Sequence, residues 1–132
     1  MIAALVFAAA AFALPNPTLT PGATNPAVTQ ATIGDTICRH GWTVTVRRVR
    51  SAERRAVLAE YGNPTHVVID HLIALSLGGA NEAANLWPQD IAEAKKKDVV
   101  EDHLRRQVCA GHVTLAAAQN VLATDWRQGA AL

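Results

Sequence analysis

Pro88 sets the limit on how this chain can pair strands. The run His66-Val-Val-Ile-Asp70 reads as one short buried strand, and Gly78-Gly79-Ala80-Asn81 supplies a turn that returns the chain toward Asn85. A proline at position 88 then limits a second strand to Asn85-Leu86-Trp87. With 132 residues, half of them apolar, there is material for one core but not for two.

Other segments carry helical or strand periods. Thr43 to Val49 begins in alternation and is rich in β-branched residues, which predicts a strand. Ser51 can cap a helix whose Val57, Leu58 and Tyr61 share a face, with Gly62-Asn63-Pro64 as its stop. Asp90 with Glu93 three residues on makes a capping-box-like start. Val100, Leu104 and Val108 continue that helix until Gly111. Thr114 opens a last helix with Leu115, Ala118, Leu122 and Trp126 on one stripe. The expected fold is a small α+β domain with flanking helices.

The amino terminus has its own character. Ile2 to Leu14 is an unbroken apolar run, too short to span a bilayer as a helix, and it ends in Ala11-Phe12-Ala13. That pattern matches a secretory signal over residues 1–13, with the mature chain starting near Leu14; an uncleaved anchor or a buried core helix is the alternative. Residues 14–36, with four prolines between Pro15 and Thr32, read as an extended lead-in, and 37–132 as the domain. In an exported chain the only two cysteines, Cys38 and Cys109, are most simply a disulfide. The expected location is periplasmic or secreted, with no stable membrane association once the signal is removed.

A formal net charge of +1 gives no overall pull toward nucleic acid, so any such attraction must be local. Two basic clusters exist. Arg47, Arg48, Arg50, Arg54 and Arg55 face one acid, Glu53, and Lys95, Lys96 and Lys97 are followed by Arg105 and Arg106. Solvated element faces are the plain alternative for both.

Phosphodiester hydrolysis needs a base for the attacking water, a cation on the scissile phosphate, and positive groups to seat the backbone. A histidine suits the first task and an aspartate, as a metal ligand, helps with the second. Asp70-His71, the Gly78-Gly79 pair seven and eight residues past His71, and Asn85 fourteen past it together resemble the His-Asn-His (HNH) nuclease motif of the ββα-metal fold. The flanks TICRHGWTVTVR and VCAGHVTLAAAQNVLATDW look like those of small exported bacterial HNH-like proteins.

The resemblance implies a ββα-metal core over about residues 66–110. It makes Asp70 a metal ligand, His71 the general base, and Asn85 the brace that orients the histidine. Lys97 falls where the motif often has a lysine, and with Arg47, Arg48 and Arg50 it is expected to contact substrate. The chain departs from the motif at Ala74, where a proline is common, and near Ala94, where the last metal-binding histidine would fall. One helical turn to either side lie Asp90 and Asp98, with Glu93 adjacent, and a carboxylate there would complete the site. Oxygen ligands favour Mg²⁺ or Mn²⁺ over Zn²⁺.

The expected function is therefore a metal-dependent endonuclease with little sequence preference, acting on DNA or RNA. Any immunity or inhibitor partner is unspecified by the sequence. Two alternatives stand beside it: a catalytically degenerate exported HNH-fold domain that binds through its arginines, and a secreted inhibitor or structural protein stapled by Cys38 and Cys109. Asn81 reads chiefly as a turn residue. His40, His66, His103 and His112 share no ligand-like spacing, and Trp42, Trp87 and Trp126 read as packing residues.

Overall fold

The computed structural model describes residues 13–132, so the predicted signal segment lies, apart from Ala13, outside the described residues. The elements in chain order are α1 (Trp42–Val46), α2 (Ser51–Glu60), β1 (Val67–His71), β2 (Leu86–Asp90), α3 (Ile91–Cys109) and α4 (Leu115–Asp125). Short 3-10 turns lie at Ile33–Asp35, Leu75–Leu77, Ala83–Asn85 and Trp126–Ala131. Among the described residues this is a small single-domain α+β protein, with four α-helices and one two-stranded antiparallel sheet.

The segment predicted as a strand at Thr43 to Val49 is helical at its start. Trp42 and Val46 stand one turn apart, and both pack on the core, whereas Val44 is 80% exposed. Burial of that i,i+4 pair outweighs the β-branched alternation, which has no neighbouring strand among the described residues to pair with. Ser51 is the first residue of α2 rather than its cap; the Arg50 amide there donates to Glu53 Oε2 at 3.2 Å.

Strand β2 passes through Pro88 and reaches Asp90, so the proline does not end it. Asp70 sits opposite Trp87, His71 opposite Leu86, and Ile69 opposite Pro88. A two-stranded sheet consists only of edges, and a proline whose missing N–H faces outward costs no ladder bond.

The loop between the strands is buried rather than solvated: Leu72 and Leu77 are fully enclosed, with Ile73, Ala74 and Leu75 nearly so. Gly79 is required there, because a Cβ at this position would overlap the Ile73 carbonyl. The proline-rich lead-in runs against this loop. Thr24 bridges Gly79, the Gly22 amide donates to the Ala84 carbonyl at 2.8 Å, and Val28 enters the core.

Helix α3 divides its faces between two tasks. Val100, Leu104 and Val108 join Leu115, Ala118, Leu122 and Trp126 in the core, and Lys97 and Glu101 turn toward the end of β1. All three tryptophans are buried, as packing residues should be. No helix among the described residues is long and apolar enough to cross a membrane.

Cys38 and Cys109 form a disulfide across a sequence separation of 71, tying the segment before α1 to the last residue of α3. This is the chemistry of an oxidising compartment. Closing so long a loop restricts the unfolded chain, and reduction is expected to lower the unfolding free energy by roughly 2–4 kcal/mol. Urea denaturation with and without reductant measures this; coincident curves would mean the crosslink carries no stability.

Candidate active site

β1 delivers Asp70 and His71 to one cleft of about 400 Å³, whose wall also includes Arg47, Asp98 and Glu101. The strand ends there, which lets consecutive side chains serve different partners.

His71 is buried, and its Nε2 lies 3.0 Å from Asn81 Oδ1. The orientation of the Asn81 amide is fixed by its other bonds: Nδ2 donates to the Val46 carbonyl at 2.7 Å, and Oδ1 accepts the Arg48 amide at 3.3 Å. Oδ1 is therefore an acceptor, so neutral His71 carries its proton on Nε2 and keeps its lone pair on Nδ1. Nδ1 has no hydrogen-bond partner among the described residues. Burial, first, holds the imidazole below its ordinary pKa. Arg47 and Lys97 act in the same direction, against the Asn81 hydrogen bond and the Asp70 charge.

Asn85 braces the loop, as expected, but it does not orient the histidine. Its side chain is fully buried and makes four hydrogen bonds. Nδ2 donates to the Ile73 and Ala80 carbonyls at 2.9 and 2.8 Å, and Oδ1 accepts the Ile73 and Ala23 amides at 2.9 and 3.3 Å. It thereby fixes the loop that carries Asn81. The imidazole itself is oriented by Asn81, whose sequence context reads chiefly as a turn.

Asp70, Asp98 and Glu101 each offer a carboxylate oxygen within 4.8 Å of the others. Asp98 and Glu101 are three residues apart on α3, hence neighbours on one face. Glu101 lies beyond the turns that flank Ala94, where the motif places its last ligand; its sequence signal is the i,i+3 step from Asp98. Asp90 is not part of this cluster. Its Oδ2 accepts the Ala92 and Glu93 amides at 3.0 and 3.1 Å, so the orphan donors at the start of α3 take the carboxylate.

Lys97 is fully buried, which corrects its expected place at a substrate surface. Its Nζ lies 2.8 Å from Asp70 Oδ2 and 3.6 Å from Glu101 Oε2, and it donates to the His71 carbonyl at 2.8 Å. Burial, with Asp70 and Asp98 nearby, pushes the Glu101 carboxyl up to about 8, against the pull of Lys97.

Of the three arginines expected at substrate, only Arg47 lines this cleft. Arg48 lines a separate cleft of about 630 Å³ with Glu53, Glu60 and Glu82, and Arg50 precedes α2 as its cap residue. The arrangement can accept a proton at His71 Nδ1 beside a group of carboxylates suited to a hard cation. Comparison with known proteins finds no matching family model, no matching curated protein and no matching solved structure.

Proposed function

We propose that this protein is an exported, metal-dependent endonuclease of the HNH type, hydrolysing phosphodiester bonds with little sequence preference. The observation that carries the reading is the free Nδ1 lone pair of a neutral His71 in the same cleft as Asp70, Asp98 and Glu101. The order β1, braced loop, β2, α3, with Asp70, His71 and Asn85 in motif register, supports assigning a ββα-metal core to about residues 66–110. The disulfide and the apolar amino-terminal run support a periplasmic or secreted location.

The donor set fits a hard divalent ion. Three carboxyl groups stand against one ammonium, and a bound dication would favour the ionised form of Glu101, whose carboxyl is otherwise raised to about 8. Asp70, Asp98 and Glu101 would hold Mg²⁺ or Mn²⁺ in preference to Zn²⁺. Such an ion supplies charge stabilisation to phosphate oxygens. In this scheme His71 Nδ1 accepts the proton of the attacking water, Asn81 holds the ring in the productive tautomer, and Asn85 keeps the loop rigid. Arg47 offers a guanidinium to the phosphate backbone.

The test is to incubate purified residues 14–132 with supercoiled plasmid and with single-stranded DNA and RNA, in Mg²⁺, Mn²⁺ or chelator. Metal-dependent nicking at many positions is expected. A folded sample inert with every ion would leave the alternative of an HNH-fold binding domain, and one dominant cut site would contradict the lack of sequence preference. Asn81→Ala is expected to lower cleavage by roughly 10–100-fold. Because the Asn81 bond favours protonated His71, its loss also moves the acid limb of the pH profile down. An unshifted limb would mean that Asn81 acts only as a loop residue.

A further inference from the structure

We propose that the His71 cleft is adjoined by a phosphate subsite formed by Arg39 and Arg105, seating the substrate backbone beside the scissile bond. The inference rests on the endonuclease reading and extends it. A second hollow of about 240 Å³ is lined by Arg39, His40 and Arg105, and it shares Thr43, Ser76 and Asp102 with the wall of the His71 cleft. With three wall residues in common, the two hollows lie side by side.

The charge changes sign from one hollow to the other. The His71 end holds Asp70, Asp98 and Glu101, which repel a polyanion until a cation is bound; the far end presents two guanidiniums and a histidine. Neither Arg39 nor Arg105 forms an ion pair with any described carboxylate, although Asp102 lines the same hollow. Arg105 is held in place, because its Nε donates to the Ile37 carbonyl at 2.8 Å. That bond leaves the terminal nitrogens of the fork available to an anion.

The disulfide makes this end rigid. Arg39 follows Cys38 directly, Arg105 lies one turn before Cys109, and the Cys38–Cys109 bond ties their two segments together. Two guanidiniums without a carboxylate partner among the described residues, set on one hollow from a loop and a helix beside the His71 cleft, match the phosphates of a polynucleotide. With a net charge of only +1, the chain needs such a local seat to retain a polyanion. Nothing in the sequence spacing of Arg39 and Arg105 signals that they line one hollow.

The test uses the full mature chain and a fluorescein-labelled single-stranded oligonucleotide, read by anisotropy in chelator over a range of salt. Arg39→Ala is compared with Arg39→Lys, and with Arg127→Ala as a control for charge loss at a surface residue paired with Asp125. Arg39→Ala is expected to weaken binding roughly 5–10-fold and to lower the salt slope by about 0.7, with Arg39→Lys retaining most of that slope. In Mn²⁺ the same change should raise KM and leave kcat within about 2-fold. If Arg39→Ala binds like Arg127→Ala while wild type binds and cuts, the subsite is wrong and the nuclease reading stands. If wild type binds without cutting but Arg39→Ala binds more weakly, the subsite stands and the nuclease reading fails. If wild type binds no oligonucleotide even at low salt, both fail.

Discussion

Substituting His71 by alanine is expected to lower metal-dependent cleavage by roughly 10²–10⁴-fold, the usual contribution of a positioned general base. The loss should fall on chemistry and not on the fold. The Asn81 amide keeps its bonds to Val46 and Arg48, and Asp70, Asp98 and Glu101 are untouched by the change. The rise in melting temperature on adding Mn²⁺ should therefore survive in the variant. The wild-type pH profile gives a second reading. A general base works when neutral, and burial holds His71 below the ordinary imidazole value of 6.5. Activity should accordingly persist to a lower pH than an exposed histidine would allow, and fall only as protons are forced onto Nδ1. A variant that cuts within about 10-fold of wild type, or an acid limb above neutrality, would remove His71 from that role.

The local motif was legible because its spacing is short. Asp70, His71, Gly79 and Asn85 lie within one strand and the loop that follows it, and three of the four bonds made by Asn85 are to Ile73 and Ala80 in that loop; only the Ala23 amide comes from the distant lead-in. Asn81 was not legible as the partner of His71. Its orientation depends on the Val46 carbonyl and the Arg48 amide, supplied by a segment read as a strand that instead opens as a helix. The alternation of Thr43 to Val46 was real, but an alternating stretch needs a neighbour, and Trp42 with Val46 on the core decided the matter.

Asp90 shows the opposite difficulty. Its sequence position fitted both a cap and a ligand, and one carboxylate already holding two helix amides is committed to them. Lys97 belonged to a run of three lysines that reads as a solvated face. Helical phase separates it from Lys95 and Lys96, which are exposed, and turns it beneath the end of β1. Glu101 follows it by one turn, so the charged half of the site becomes readable once the phase of α3 is fixed.

Replacing Lys97 by methionine, similar in length and without charge, is expected to destabilise the metal-free protein by roughly 3–5 kcal/mol. The ammonium is fully buried, stands against Asp70 and Glu101, and also bonds the His71 carbonyl at the end of β1. Its removal leaves the half-buried Asp70 carboxylate without its ion-pair partner. The sign of the pH dependence follows from the carboxylates. Glu101 is raised from 4.5 to about 8 in the fold, so its contribution to stability is fully present below 4.5 and is lost as pH rises through about 8. Lys97 opposes that rise, so without it the cost of ionising Glu101 grows. The deficit of Lys97→Met should therefore be greatest at alkaline pH and shrink in acid, where Glu101 is protonated with or without the ammonium. Mn²⁺ should recover part of it, since three carboxylates then face a dication and a ligand bound only by the native state raises stability. Urea denaturation of both proteins at pH 4.5 and pH 8, with chelator and with Mn²⁺, measures each term; a deficit below about 1 kcal/mol, or one that ignores pH, would show that the ammonium is not the counter-charge of this cluster.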